Sequence, residues 1–280
     1  MDPIIHHPFS YALGPLEITG FGIAMVLSFM IAQYICEVLM TRRGYDPNVF
    51  GDITVAAVVG GIGGAKIYYV FLTGDIADLF SRGGFVFWGG LIGGIVACFM
   101  VIRFKKLRFS QISDVAAPGL AAAYAVGRSG CWAVGVDYGL PWDGPLAVAF
   151  PQGAPPSTAS VMERAFGVQF PAGTLPDQVI AVHPTQLYQV SLAMLMFAVL
   201  WRYRDHKHAE GWLFGLYCVL AGGERFLIEF VRAKDDRLFG VLTMAQVIAI
   251  VFMLGGFWWM QQRRTPGPGK PAPGVRYVAR

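Results

Sequence analysis

Three basic side chains lie inside stretches of sequence that are otherwise apolar: Lys66 in GGIGGAKIYYV, Arg128 in AYAVGRSGCW and Arg225 in AGGERFLIEF. A charged side chain at the centre of a bilayer costs about 2.5 to 3.5 kcal/mol on insertion scales. Each of these bases must therefore face a partner or a water-filled cavity. Such residues are the leading candidates for function in an apolar sequence.

Arginine at two of these positions points to a phosphate. A guanidinium is a planar fork of donors that matches phosphate geometry, which the ammonium of lysine does not copy. Arg128 and Arg225 together predict a clamp for an anionic phosphodiester, and in apolar sequence this is a phospholipid headgroup. Glu229 and Arg232 follow Arg225 by four and seven residues. All three share one helix face, so Glu229 can orient Arg225.

Acids in the same stretches supply counter-charges, namely Asp114, Glu224 and Glu229. For any single pair, charge neutralisation during membrane insertion is an alternative to a functional role. Three bases in three separate stretches are harder to explain in that way.

The composition is that of a membrane protein. The 280 residues are 55% hydrophobic and 14% charged, with a mean hydropathy of +0.51, whereas soluble domains carry about a quarter charged residues. A helix needs roughly 20 apolar residues to cross a hydrocarbon core about 30 Å thick. Seven stretches come within a few residues of this length: 18–40, 50–72, 85–104, 112–134, 184–203, 211–231 and 244–260. We therefore predict an all-α polytopic membrane protein with seven transmembrane helices.

The loops predict an orientation. Lys and Arg are concentrated after the first, third, fifth and seventh stretches, so the positive-inside rule places the N-terminus outside and the C-terminus in the cytoplasm. The proline-rich segment 135–183 is too broken to span and predicts a small extracytoplasmic insertion. Residues 1–262 then form one membrane domain, and the Pro/Gly-rich residues 263–280 predict a disordered cytoplasmic tail.

Glycines recur at four-residue spacing in the second and third stretches, as Gly60 with Gly64, Gly89 with Gly93 and Gly90 with Gly94. Small residues at this spacing let helix backbones approach closely in lipid. Helix packing is the preferred interpretation, and room for a lipid is the alternative.

Several function classes are disfavoured by the sequence. There is no basic cluster interleaved with aromatics of the kind that binds nucleic acid, and no metal or organic cofactor motif. The string GRSG at 127–130 resembles the serine motif of rhomboid proteases, but the sixth stretch has no histidine to act as its base.

Four strings, in order along the chain, resemble motifs of the prolipoprotein diacylglyceryl transferase family. GGFVFWGGLIGG is similar to G-G-x-x-F/Y-H-G-G-L-I-G. DVAAPGLAAAYAVGRSGCWAVGVDYG is similar to D-x-x-A-P followed by G-R-x-G-N-F-x-N-G-E-x-x-G. HPTQLYQ is similar to H-P-S/T-Q-L-Y-E, and ERFLIEFVR to R-F-x-x-E-F-x-R. Together they cover most of the chain.

The resemblance implies a transferase of the bacterial inner membrane. Such an enzyme moves a diacylglyceryl group from phosphatidylglycerol to the lipobox cysteine thiol of prolipoproteins, which forms a thioether and releases glycerol phosphate. The implied partners are phosphatidylglycerol, prolipoprotein signal peptides and the membrane, with no cofactor.

The resemblance also implies a site. Arg128 and Arg225 would bind the phosphate and stabilise developing charge, and Glu229 would hold Arg225. The further residues implied on the substrate side are Lys66, Asp114, Cys131, Gly139, His183 and Tyr188. For most of these a packing, capping or electrostatic role is the alternative interpretation.

The sequence departs from the family motifs at several polar positions. The histidine of the H-G-G string is Trp88, which has no basic nitrogen with which to activate a thiol. A tyrosine of the first stretch is Phe21, and the final acid of the HPTQLYQ string is Gln189. In the fourth stretch the expected Asn, Asn and Glu are Cys131, Val134 and Val136.

Two explanations remain open from the sequence. In one, the chain is an active transferase in which the arginines supply most of the catalysis and Glu229, Asp137 or a water takes the thiol proton. In the other, the frame is kept as an anionic-phospholipid binding or transport protein, or as a transferase with another acceptor.

Overall fold

The computed structural model describes residues 3–14, 16–81, 84–233, 237–238 and 242–265. Long helices dominate this part of the chain, and one of them coincides with each of the seven apolar stretches. The helices are α1 Gly20–Arg42, α2 Asn48–Thr73, α3 Phe87–Phe104, α4 Phe109–Val134, α5 Ala159–Phe166, α6 Thr185–Arg202, α7 Trp212–Ile228 and α8 Met244–Gln262. A 3-10 helix, Ile76–Phe80, follows α2.

Four of these helices, α1, α2, α3 and α8, are long and apolar enough to cross a membrane. The helices α4, α6 and α7 do not meet both requirements within the described residues. The helix α7 has only 17 residues, and α4 and α7 carry charged side chains. The protein is mostly helical with several membrane spans, and a total of seven stays a prediction.

The helices pack as neighbours in the pairs α2 with α3, α1 with α4, α7 with α8 and α4 with α6. The α2–α3 contact is made by the glycines at four-residue spacing. A Cβ atom at Gly64 would lie 2.8 Å from the Cα of Gly93, and one at Gly93 would lie 2.8 Å from the Cα of Gly64. These glycines therefore serve close helix packing.

Short strands, which the sequence did not predict, connect and cover the helices. They are β1 Ile4–Ile5, β2 Ser10–Leu13, β3 Leu16–Thr19, β4 Val148–Ala149, β5 Ala181–Val182, β6 Arg237–Leu238 and β7 Leu242–Thr243. The strand β1 runs parallel to β4, which pairs antiparallel with β5. The N-terminal segment thus joins the segment between α4 and α6 in one small sheet.

The segment between α4 and α6 has an apolar core of its own. Tyr138, Phe150, Met162 and Val182 are almost fully buried in one cluster, and Tyr138 stacks on Phe150 with 5.3 Å between ring centroids. The segment therefore holds its shape over the C-terminal end of α4. That end is closed by Gly135, whose left-handed φ of 70° lets its N–H reach carbonyls of the last turn.

Candidate active site

Arg128 lies in the last two turns of α4 and is held on two edges. Its Nη1 donates to Asp137 Oδ2 at 2.8 Å, and its Nε donates to the Tyr124 hydroxyl at 3.3 Å. Nη1 also lies 3.7 Å from the Cys131 thiol. Among the residues described, no hydrogen-bond partner is found for Nη2, which leaves that edge of the guanidinium open to a ligand.

Asp137 links two arginines just after α4. Its second oxygen pairs with Arg232 at 3.4 Å. Burial raises the pKa of this carboxyl, but the guanidinium groups of Arg128 and Arg232 outweigh burial and hold the pKa below its usual range. Asp137 is therefore an ionised ion-pair partner and a poor acceptor for a thiol proton. Asp137 and Arg232 also border a cavity of about 180 Å³ under the segment between α4 and α6.

A hydrogen-bonded group of side chains from three helices supports Arg128 from behind. Gln189 on α6 donates from Nε2 to the Tyr124 hydroxyl at 2.7 Å and to Glu224 Oε1 at 3.1 Å. The Tyr124 hydroxyl in turn donates to Glu224 on α7 at 3.3 Å. Gln189 and Glu224 are both buried. We call Tyr124, Gln189 and Glu224 the Tyr124 cluster.

Arg225 forms an ion pair with Glu229 one turn later in the chain, with 2.6 Å between Nη2 and Oε2. The Glu229 side chain has no exposed surface. Within the described residues, Arg225 Nη1 and both carboxylate oxygens of Glu229 are buried without a hydrogen bond, so the Arg225–Glu229 contact is an ion pair without hydrogen-bond geometry. Buried polar atoms are ordinarily satisfied, so these atoms are candidates for contact with a bound substrate.

The two arginines come from α4 and α7, and these helices meet in the Tyr124 cluster. Arg128 donates from Nε to the Tyr124 hydroxyl, and Arg225 directly follows Glu224 on α7. The fold therefore gathers two guanidinium groups around one buried cluster. Each of them keeps one nitrogen without a partner in the described part of the chain.

Gly139 and His183 lie beside this group, where the loop after α4 meets the start of α6. The Gly139 N–H donates to the His183 carbonyl at 2.9 Å. A Cβ at Gly139 would lie 2.7 Å from both His183 Cβ and Thr185 Cγ2, so only glycine fits there. The Thr185 hydroxyl donates to the Asp137 carbonyl at 2.6 Å, which fixes the loop that carries Asp137.

The His183 ring is engaged by two aromatic side chains. It stacks on Trp142 with 4.4 Å between ring centroids, and its Nδ1 lies 3.4 Å from the Tyr188 hydroxyl. Burial lowers the pKa of this histidine, so it is neutral at physiological pH. His183 and Tyr188 therefore form a neutral wall beside the Asp137 loop.

Lys66 makes its contacts elsewhere, with the 3-10 helix and the residues after it. Its Nζ donates to the Ser81 carbonyl at 2.5 Å and to the Asp78 carbonyl at 3.4 Å. It also lies 4.7 Å from the centroid of the Phe85 ring. These contacts fasten the 3-10 helix to α2.

Asp114 lies near the start of α4, at the end opposite Arg128. Fourteen residues of helix separate the two, about 21 Å at 1.5 Å per residue. The fully buried carboxylate accepts the Phe214 N–H at 2.9 Å and pairs with His206 Nε2 at 3.1 Å. It therefore satisfies an N–H of the first turn of α7, a helix-capping contact.

Trp88, at the position of the family histidine, lies at the start of α3 with 53% of its surface exposed. Its ring contacts Phe87 edge-on at 5.7 Å. Tyr124 was not among the residues predicted from the sequence, and Gln189 stood out there only as a departure from the family string. Tyr124 precedes Arg128 by four residues, and this spacing was a usable signal.

The fold and the site define a helical integral membrane protein whose buried polar side chains converge between α4, α6 and α7. The model of the prolipoprotein diacylglyceryl transferase family matches residues 8–261. The chain belongs to that family, as its motifs predicted.

Similar proteins cover nearly the whole chain. A phosphatidylglycerol–prolipoprotein diacylglyceryl transferase of Xanthomonas oryzae pv. oryzae (strain PXO99A) is 31% identical over 276 residues, with 92% of each chain covered. Proteins of the same name from Nitratidesulfovibrio vulgaris and Clostridium tetani are 29% and 26% identical. These alignments cover 91% and 90% of this chain, and 93% and 95% of the two relatives.

Proposed function

We propose that this protein transfers a diacylglyceryl group from phosphatidylglycerol to the lipobox cysteine of prolipoproteins. The observation that carries this proposal is the pair of arginines around one buried cluster, each with a nitrogen that has no partner in the described residues. Family membership and the names of the relatives supply the two substrates.

The reaction is a displacement at carbon. The cysteine sulfur forms a bond to the glyceryl carbon, and the bond from that carbon to the phosphate oxygen breaks. The electron pair stays on the phosphate oxygen, glycerol phosphate leaves, and the thiol proton passes to water. Negative charge grows on the leaving oxygen, so donors fixed in advance beside it lower the barrier.

The contacts of the two arginines suit this task. Asp137 and Tyr124 hold Arg128, and Glu229 holds Arg225, so neither guanidinium reorganises when charge develops. Arg128 Nη2 and the buried Arg225 Nη1, which have no partner in the described residues, are then the nitrogens that bind phosphate oxygens. Arginine is suited to this because its planar fork matches phosphate.

The thiol is activated without the family histidine. A free cysteine has a pKa of about 8.5, so a few per cent is thiolate at neutral pH. Because Trp88 cannot accept a proton and Asp137 is held by two arginines, the thiolate forms before attack by loss of its proton to water. The rate then rises with pH as the thiolate fraction of the acceptor grows.

We also propose the arrangement in the membrane. The helices α1 to α4 and α6 to α8 all traverse the bacterial inner membrane within one domain, residues 1–262. The N-terminus and the insertion 135–183 are periplasmic, and the C-terminus is cytoplasmic. The disordered tail predicted for residues 263–280 lies mostly outside the described residues. The loop charges support this orientation, and Arg128 and Arg225 lie toward the periplasmic ends of α4 and α7.

The test uses the purified protein in phosphatidylglycerol nanodiscs with a synthetic lipobox peptide. Mass spectrometry is expected to find the peptide with a diacylglyceryl thioether, together with released glycerol phosphate. Arg128→Ala is expected to abolish both products, while Arg108→Ala, at an arginine with 71% of its side chain exposed, retains them. Bound phosphatidylglycerol with no product in the wild type would instead support a lipid-binding or transport protein.

A further inference from the structure

The Tyr124 hydroxyl is saturated with hydrogen bonds within the Tyr124 cluster. A tyrosine oxygen accepts two hydrogen bonds and donates one. Here it accepts from Arg128 Nε at 3.3 Å and from Gln189 Nε2 at 2.7 Å, and it donates to Glu224. Glu224 also accepts directly from Gln189. The donor and the acceptor of each of these hydrogen bonds are therefore fixed, and the Glu224 carboxylate is the final acceptor of the network.

The cluster orients Arg128 and adds a ring contact to the hydrogen bonds. The guanidinium carbon of Arg128 lies 5.3 Å from the centroid of the Tyr124 ring. With Nε fixed by Tyr124 and Nη1 fixed by Asp137, the plane of the guanidinium is determined. The direction in which Nη2 points then follows from the position of the Tyr124 hydroxyl.

The carboxylate of this cluster comes from an unexpected helix. The family string H-P-S/T-Q-L-Y-E ends in an acid, and that position is Gln189 on α6. Glu224 on α7 lies directly opposite, with 3.1 Å between Gln189 Nε2 and Glu224 Oε1. One amide and one carboxylate therefore face each other, with the charge on α7.

We infer that Glu224 is a positioning residue. Through Tyr124 it holds the Arg128 guanidinium in the orientation that presents Nη2 to the phosphate. It also supplies from α7 the negative charge that the family string has at position 189 on α6. The inference deepens the proposed function and rests on it.

A charge exchange tests this inference. Glu224→Gln and Gln189→Glu are made singly and together. Glu224→Gln removes the charge, and Gln189→Glu sets two carboxylates about 3 Å apart, where one of them must take up a proton. In the double variant the carboxylate lies at position 189 and the amide at position 224. The Tyr124 hydroxyl and the amide then both donate to the carboxylate at position 189.

Turnover is measured for each variant with the peptide assay. Displacing a catalytic group by about 1 Å lowers the rate on the order of 100-fold. We expect each single variant to lose about 10-fold to 100-fold in kcat, with a small change in KM for phosphatidylglycerol, and the double variant to recover most of the loss. Tyr124→Phe is expected to lose as much as Glu224→Gln, and adding it to the exchanged pair is expected to abolish the recovery.

A second Gln–Glu contact on α1 provides the matched control. Gln33 Nε2 donates to Glu37 Oε1 at 2.7 Å. The same exchange there, Gln33→Glu with Glu37→Gln, is expected to leave kcat at the wild-type value in all three forms. Equal losses at both sites would show a general cost of altering polar contacts in the bundle and would overturn the inference.

The outcomes separate this inference from the proposed function. An active wild type whose exchanged pair stays as impaired as the single variants overturns the role of Glu224 alone. Single variants that lose folded yield in proportion to turnover show a structural tether and overturn it as well. If the wild-type protein forms no product, the proposed function is wrong. If the wild type forms no product, the affinity of each variant for phosphatidylglycerol nanodiscs is measured instead. The single variants are then expected to bind more weakly and the double variant to recover wild-type affinity, and no recovery would overturn the role of Glu224.

Discussion

Arg128 combines a fixed orientation with a nitrogen, Nη2, that has no partner among the described residues. Two of its nitrogens are bound by neighbours that arrive from the same helix and from the loop that follows it. Side chains held in this way lose little entropy on binding substrate, which is the physical content of preorganisation. At the scale of single residues, the site therefore depends on the shape of the arginines as well as on their charge.

Arg128→Lys and Arg225→Lys keep the charge but lose the fork. An ammonium cannot bind Asp137 and Tyr124 along two edges while facing a phosphate. Losing one fixed donor to a developing oxyanion costs about 100-fold to 1,000-fold in kcat. We expect losses of this size in the peptide assay, with Arg108→Lys unchanged. Wild-type rates in either lysine variant would show that charge alone is enough.

Asp137 makes stability depend on pH in one direction. Its carboxyl has a pKa below the ordinary 3.8 in the folded protein, because Arg128 and Arg232 outweigh the effect of burial. The ion pairs of Asp137 therefore contribute their full stabilisation at pH values above the ordinary pKa of 3.8. This stabilisation is lost as pH falls through the lower pKa of the folded protein. Asp137→Asn is expected to lower Tm at pH 7, and the difference from wild type is expected to shrink below pH 3.8. Asn tolerates the left-handed φ of 60° at this position.

Thermal unfolding in detergent at several pH values measures this effect. The control is Asp177→Asn, in an exposed loop before β5, which should give the same Tm as wild type at each pH. A Tm difference for Asp137→Asn that stays constant at acid pH would contradict the ion-pair account.

At the scale of elements, helix positions could be predicted from the sequence, whereas the site could not be assembled from it. Apolar length alone located seven helices, since lipid leaves the chain few alternatives. The contact between Gln189 and Glu224 joins two residues that are 35 positions apart in the sequence, and no local pattern encodes it. Two-residue strands such as β1 and β4 could not be predicted from the sequence either, because their pairing depends on partners far away in the chain.

Larger side chains at the α2–α3 contact are expected to destabilise the protein. A Cβ at Gly64 meets the backbone of Gly89 and Gly93, so Gly64→Leu forces the two helices apart. Overpacking of this kind costs typically about 1 to 3 kcal/mol. We expect a lower Tm and a lower monodisperse yield on size-exclusion chromatography. A Cβ at the neighbouring Gly63 would point into open space and meet no other helix within 4 Å in the described residues, so Gly63→Leu should behave as wild type.

At the scale of the whole molecule, the orientation in the membrane makes a labelling prediction. Asp177→Cys, in the segment between α4 and α6, is expected to react with a membrane-impermeant maleimide on intact spheroplasts. Lys207→Cys, in the loop between α6 and α7, is expected to react only after permeabilisation. Both positions are exposed, and the native cysteines are buried or half-buried. The reverse pattern would invert the proposed topology.

The ion pairs described above also bear on how the chain enters the bilayer during synthesis. Arg128 finds its carboxylate nine residues later and Arg225 finds its own four residues later. Each arginine therefore has a neutralising carboxylate within nine residues of sequence, and this pairing does not depend on a distant helix. A charge that is paired within its own stretch of sequence costs less to place in lipid than an unpaired one, so short-range pairing favours insertion of these two helices.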